Sequence, residues 1–260
     1  MAFEAEVLLG EVLGLSRGAL LARGREPLAA AAAERFEALV SRRAAREPLQ
    51  HVVGHWPFLG LDLVTDRRAL VPRPETEDLA LLAIARLPGD RDALVLDAGT
   101  GSGCLALAIA AARPRARLVA VEREAAALSL ARENRGRCGL EKRVGLVRSD
   151  LCGALAAGPR FDLAVANLPY VREDEFDALE PEVREHDPRA ALVAAGDGLA
   201  VVREFVRQAG PRLAPGTPLL LECAPAQTGP LAAGLAAAGW CAVRIHADRY
   251  GRERIVDGRR

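Results

Sequence analysis

Ala93-Leu94-Val95-Leu96-Asp97-Ala98-Gly99-Thr100-Gly101-Ser102-Gly103 is an apolar run that ends in an acid and three spaced glycines. The unbroken apolar part reads as a strand buried on both faces. The glycines let the chain turn sharply and bring backbone amides against a ligand at the start of the next helix, Cys104 to Ala112. Outward from this point the alternation repeats. Leu118–Val121 is a second strand and Ala125 to about Arg135 its helix. Val144–Val147, Phe161–Ala166, Leu219–Leu221 and Ala242–Ile245 follow as strands, and Arg254-Ile255-Val256 adds an edge strand. Strands alternating with helices specify a mostly parallel, doubly wound α/β sheet with its ligands at the carboxyl ends of the strands.

Upstream, residues 1–55 read as a small helical domain. Apolar residues recur at helical spacing through Val7-Leu8-Leu9, Val12-Leu13 and Phe36, Leu39, Val40, with breaks at Ser16-Arg17-Gly18 and at Gly24 with Pro27. Residues 56–75 form a hairpin and linker. Phe58 to Val64 alternates around Gly60, and Val71-Pro72-Arg73-Pro74-Glu75 is expected to be non-helical because two prolines restrict themselves and their predecessors. Thr76 starts a helix, Glu77 to Leu87, that Pro88-Gly89 stops, and 76–260 is read as the α/β domain.

Composition narrows the function classes. The 260 residues are half apolar, and 35 basic residues balance 35 acidic ones. A neutral chain has no global field to coat nucleic acid. Five scattered cysteines without a C-x-x-C pair argue against a disulfide framework or zinc site. The N-terminus Met1-Ala2-Phe3-Glu4 lacks a basic leader, and no apolar run spans a membrane. The expected setting is soluble and cytoplasmic, with no membrane partner.

Two sites stand out. Gly99, Thr100, Gly101, Ser102 and Gly103 form a loop suited to a nucleoside cofactor, with Glu122 at the end of the second strand to accept from ribose hydroxyls. These features suit NAD and S-adenosylmethionine alike. Asp97 before Gly99-x-Gly101-x-Gly103 resembles the first motif of methyltransferases, and Asp150-Leu151 offers a carboxylate for an exocyclic amine and an apolar side chain for an adenine face.

The second site is Asn167-Leu168-Pro169-Tyr170, delivered by the fourth strand. An amide or exocyclic amine nitrogen is a poor nucleophile because its lone pair is delocalised. It needs its N–H groups held so that the lone pair aims at an electrophile, not a strong base. The Asn167 oxygen and the residue 168 carbonyl supply acceptors. Pro169 fixes the direction of that carbonyl, and Tyr170 gives a flat face to a planar group. Asn167, Pro169 and Tyr170 are the candidate catalytic residues, Asn167 to Tyr170 the candidate substrate site, and Asn167 also adjoins the cofactor.

The chain resembles the HemK/PrmC family of release factor N5-glutamine methyltransferases over nearly its whole length. The resemblance rests on Arg46 to Gly54 with Phe58-Leu59-Gly60, on Val71 to Glu77, on Asp97 to Gly103 and on Glu122, Asp150 and Leu151. It extends to Pro181 to Leu192, Gly196 to Leu199, Glu222, Gln227 and Asp248 to Arg254. His51 stands where the family more often has tyrosine. The resemblance implies a class I S-adenosylmethionine-dependent methyltransferase fold, Rossmann-like with a seven-stranded sheet, behind a helical docking domain. It implies S-adenosyl-L-methionine as cofactor and, as substrate, the glutamine of the Gly-Gly-Gln loop in class 1 peptide chain release factors, with no direct nucleic acid required.

Leu168 departs from the family's usual Asn-Pro-Pro-Tyr toward the Asn-Leu-Pro-Tyr of rRNA adenine N6-dimethyltransferases. The carbonyl is retained, and the lost proline costs at most about 0.4–1 kcal/mol. The alternatives are a ribosomal-protein glutamine methyltransferase and an adenine N6-methyltransferase acting on rRNA. The N-terminal position of the small domain, Arg73-Pro74-Glu75-Thr76-Glu77 and the lack of a basic C-terminal module favour the release factor.

Other residues carry weaker signals. His51, His55, His186 and His246 lack metal spacing and fit surface or linker roles, and no metal is expected. Glu222 suits either a site-steadying carboxylate or a capped acid. Arg73 and Glu75 suit a loop over the cofactor or merely a stiff linker, and Cys104 suits packing.

Overall fold

The computed structural model describes residues 2–24, 26–156, 158 and 161–260, so Met1 of the acidic N-terminal stretch lies outside it. Four helices lead: α1 Ala2–Leu13, α2 Arg17–Ala22, α3 Ala30–Ala44 and α4 Leu49–Val53. Leu8, Leu49 and Val52 make their small core with Phe36, Leu39 and Trp56 beside it. Ser16 and Arg17 do not simply break this region. The Ser16 hydroxyl accepts from the Ala19 amide and so caps a helix that begins at Arg17.

Next comes an antiparallel hairpin, β1 His55–Phe58 and β2 Leu61–Val64. The linker ends sooner than its prolines suggest, because α5 runs Pro74–Arg86. Proline is well suited to the first helical turn, where its missing N–H has no partner to lose and its fixed φ is already helical. Val71 to Arg73 belong to no helix or strand, with Arg73 in an extended conformation before the helix.

The remaining elements are β3 Ala93–Ala98, α6 Cys104–Ala112, β4 Ala116–Glu122, α7 Ala125–Arg137, β5 Val144–Arg148, β6 Leu163–Asn167 and β7 Val171–Arg172. After them come α8 Pro181–His186, α9 Arg189–Leu192, β8 Val193–Ala194, α10 Ala200–Ala209, β9 Pro218–Glu222, α11 Thr228–Ala237, β10 Cys241–Ala247 and β11 Glu253–Arg259. The main sheet has seven strands in the order β10-β11-β9-β6-β3-β4-β5. All neighbours are parallel except at β11, which is antiparallel to both β9 and β10.

Two strand expectations change. Phe161 makes only an isolated bridge to Leu213, and β6 proper begins at Leu163. Arg254 to Val256 is no edge strand, since β11 sits inside the sheet and β10 takes the edge. Burial patterns agree with that order. Ile255 and Val256 are buried, whereas β10 is largely exposed.

Helices cover both faces. Cys104 through Ala110 of α6 are all buried, as expected for a helix apolar on every side. The two faces hold separate cores, one around Val95, Leu107 and Ile109, the other around Leu96, Phe205 and Leu221. Arg43 of α3 and Arg46, in the turn just after it, pair with Glu182 of α8 at 3.0 and 2.6 Å, tying the helical region to the sheet domain. Among the described residues, no helix is long and apolar enough to cross a membrane.

Candidate active site

A cavity of about 330 Å³ opens at the carboxyl ends of β3, β4, β5 and β6. Gly99, Thr100, Gly101, Ser102, Glu122, Asp150, Leu151, Asn167, Leu168 and Pro169 all line it. Gly103 stands just behind, at the start of α6, where a Cβ would meet Leu107 at 3.2 Å and Ala131 at 3.4 Å. Gly99 has φ +67°, and a Cβ there would lie 2.7 Å from the Leu168 side chain. Asp97 is fully buried at the foot of the loop and accepts from the Thr100 hydroxyl at 2.5 Å. Burial pushes its carboxyl up to about 7, against the hydrogen bond from Thr100.

Glu122 receives the amides of Gly101 (3.0 Å) and Glu124 (2.9 Å), so one carboxylate shapes two turns while facing the cavity. The Ser149 hydroxyl accepts from the Ala154 amide. Asp150 is exposed and Leu151 buried. Leu151 holds φ +49°, a left-handed conformation that is strained for a leucine.

Asn167 closes β6 opposite Glu222 of β9. Its Nδ2 donates to Thr76 Oγ1 at 3.0 Å, and that hydroxyl donates to Glu222 Oε2 at 2.9 Å. With its nitrogen so engaged, Asn167 turns its oxygen elsewhere as a free acceptor. Glu222 and Thr76 are 1% and 3% exposed, so water cannot substitute for either partner. Burial pushes Glu222 up to about 7, opposed by the Thr76 hydroxyl and by Arg254.

Tyr170 lies off the first cavity and lines a neighbouring one of about 290 Å³ with Glu75, Glu222 and Arg254. Asn167 belongs to both walls. Gln227 donates to the carbonyls of Tyr170 (2.8 Å) and Asp197 (3.0 Å), fixing the course of the chain beyond the tetrapeptide. Burial pushes the Tyr170 phenol up to about 12.

The linker is tied down at both ends. Arg73 pairs with buried Asp187 at 2.5 Å, and Glu75 and Glu77 pair with Arg252 (2.5 Å) and Arg249 (2.8 Å) from the β10–β11 turn. Burial pushes Asp187 upward despite the Arg73 guanidinium. Sequence reasoning missed Thr76 as a site residue, reading it only as a helix start. It also gave no role to Gln227 or Gly198. Their shared signal is position, since each lies within a stretch that carries the family resemblance.

His51 is not on the surface. It is 6% exposed, with both ring nitrogens unpartnered, and burial lowers it to about 4. His55 contacts Glu11 and Asp62, His186 contacts Arg67, and His246 contacts Asp257. Among the described residues, no three metal-ligating side chains come together. Cys104 is buried, its thiol pushed up to about 12.

The PrmC N-terminal domain model matches residues 2–54, and the methyltransferase small domain model matches 78–207. A release factor glutamine methyltransferase of Deinococcus radiodurans is 47% identical, covering 99% of this chain and 90% of its own. Its counterpart in Burkholderia pseudomallei is 41% identical over 99% and 92%. Among solved structures, a methyltransferase from Pyrococcus furiosus matches with TM-score 0.59 at 19% identity, over 84% of this chain and 98% of that one. The ribosomal protein L11 methylase of Lactobacillus delbrueckii gives 0.53 at 21% identity, over 74% and 81%. These structural likenesses establish the class I methyltransferase fold. With likeness to curated relatives running from the N-terminal helices through β11, the chain belongs to the release factor glutamine methyltransferase family.

Proposed function

We propose that this protein methylates the side-chain amide nitrogen of the glutamine in the Gly-Gly-Gln loop of class 1 peptide chain release factors, using S-adenosylmethionine. The observation that carries the reading is that Asn167 belongs to both cavities at once. The larger cavity suits the cofactor. Gly99 and Gly101 turn the loop along the cavity wall, Glu122 offers oxygens toward ribose hydroxyls, and Asp150 with Leu151 suits an adenine edge and face. The smaller cavity suits a glutamine side chain, with Tyr170 along the planar amide.

When bound, the cofactor supplies a sulfonium methyl, which passes to the amide nitrogen as the C–S bond breaks, leaving S-adenosylhomocysteine and one proton for solvent. Everything else is positioning. The Asn167 oxygen and the Leu168 carbonyl hold the two amide hydrogens and turn the nitrogen's lone pair out of conjugation. Pro169 keeps residue 168 extended, so the carbonyl keeps its direction. No general base is called for, because an amide nitrogen that has gained a methyl is strongly acidic.

Residues 1–55 are assigned as the element that docks the release factor, 56–75 as hairpin and linker, and 76–260 as the catalytic domain, in a cytoplasmic setting. Incubating the purified chain with methyl-labelled S-adenosylmethionine and a release factor tests the reading. The expected outcome is label on the Gly-Gly-Gln glutamine, located by mass spectrometry. Label on rRNA or a ribosomal protein, with none on the factor, would overturn it.

A further inference from the structure

We infer that Thr76 and Glu222 are positioning residues that fix which end of the Asn167 amide faces the substrate nitrogen. This rests on the function proposed above. An asparagine amide has two ends of nearly equal shape and opposite hydrogen-bonding sense. Only the oxygen can accept a hydrogen from the substrate amide. If the nitrogen end faced the substrate, two donors would meet and the nucleophile would be repelled.

The chain of bonds resolves this choice. Glu222, as a carboxylate, only accepts, so the Thr76 hydroxyl must donate to it, at 2.9 Å. Having spent its single hydrogen, Thr76 Oγ1 can only accept from Asn167, and it does so from Nδ2 at 3.0 Å. The Asn167 oxygen is then the end left for the cavities. All the supports come from different elements: Thr76 from α5, Glu222 from β9 and Asn167 from β6. Burial makes the polarity binding, since neither Thr76 nor Glu222 can turn to water instead.

The same logic gives a proton dependence. Once protonated, Glu222 can donate to Thr76, which frees the threonine hydroxyl to donate to the Asn167 oxygen and turn the amide around. The other groups that bear on Glu222 are Arg254 of β11, Glu75 of α5, the adjacent Cys223, Cys104 of α6 and Tyr170. Arg254 opposes protonation and Glu75 favours it.

The test compares Thr76→Val and Thr76→Ser in the full chain, using methyl-labelled S-adenosylmethionine and a purified class 1 release factor. Valine keeps the shape and removes the hydroxyl. It should lower kcat about ten- to a hundredfold, the size expected of a misplaced reacting group, and leave KM for both substrates within about twofold. Serine should restore kcat to near the wild-type value. The fall of wild-type kcat on the acid side should become shallower in the valine variant, because the Thr76 relay is gone and only the direct influence of Glu222 on Asn167 remains. An active wild type with an equally active Thr76→Val sinks the positioning role alone. So does a valine variant whose cofactor affinity collapses with its rate while serine fails to rescue, which marks Thr76 as a packing residue. A wild type that labels no glutamine sinks the proposed function, and this inference with it.

Discussion

Leu168 lies so close over Gly99 that any side chain at residue 99 would press within 2.7 Å of its Cδ2. The Asn167–Tyr170 turn and the Gly99–Gly103 loop are therefore one packed unit. Gly99→Ala should weaken S-adenosylmethionine binding about tenfold and cost about 1–2 kcal/mol of stability for the left-handed backbone alone. Leu168→Ala in the same chain should recover part of the loss. Calorimetric titration of the wild type, the two single variants and the double variant gives the coupling, and simple additivity would contradict a direct contact.

Asn167→Ala should reduce methyl transfer by about 10²–10³-fold, the scale of losing one preorganised contact to the reacting group. Cofactor affinity should stay nearly unchanged, because the larger cavity keeps its glycine loop, Glu122 and Asp150. Affinity falling as steeply as rate would contradict that division of labour.

Stability should depend on pH through Glu222. Its folded pKa, about 7, lies above the ordinary 4.5. Between those values the folded chain keeps a proton that the unfolded chain has released, so this contribution to stability declines as pH rises through the window. Glu222→Gln abolishes the titration. Its Tm should gain on the wild type between about pH 5 and about pH 7.5 in calorimetric scans, and parallel curves would rule the carboxyl out. Asp97, also raised to about 7, should keep part of the slope in both proteins.

Gly198 should tolerate nothing larger. It has φ +82°, and a Cβ would fall 2.3 Å from both Gln227 Nε2 and the Tyr170 carbonyl oxygen. Gly198→Ala must break that hydrogen bond or move the chain after Tyr170. We expect a loss of about 2–3 kcal/mol, seen as a Tm drop of roughly 4–10 °C. A variant of unchanged Tm and activity would show that this turn does not hold the chain at Tyr170.

Arg73→Met should cost about 3 kcal/mol, since it strands buried Asp187 without a counter-charge. Arg73→Met with Asp187→Asn should recover much of the loss. Urea titration of the single and double variants decides it, and a double variant no more stable than Arg73→Met would exclude the pair as the cause.

How much of this was legible beforehand follows from distance along the chain. The glycine loop and Asn167 to Tyr170 are local patterns, each combining a strand end with a turn, and local periodicity exposes both. The Thr76–Glu222 pair is separated by 146 positions. Neither residue's immediate surroundings state that they meet. Glu222 read equally well as a cap, and only the register of β9 against β6 sets it opposite Asn167. Pro74 was misjudged because proline ends helices in their interior but suits their first turn. The interior place of β11 was hidden because alternation reveals a strand without naming its neighbours.

That last placement has a consequence for assembly. Residues 253–259 join β9 to β10, which do not touch each other. During vectorial synthesis the outer edge of β9 stays unpaired until those residues emerge, with Glu222 on the exposed margin. Arg254, the cation that faces Glu222, arrives on the same strand. The cavity proposed to take the glutamine is thus completed by the element made after all its other walls, and a nascent chain halted before residue 253 would carry the Gly99–Gly103 loop beside an unfinished second cavity.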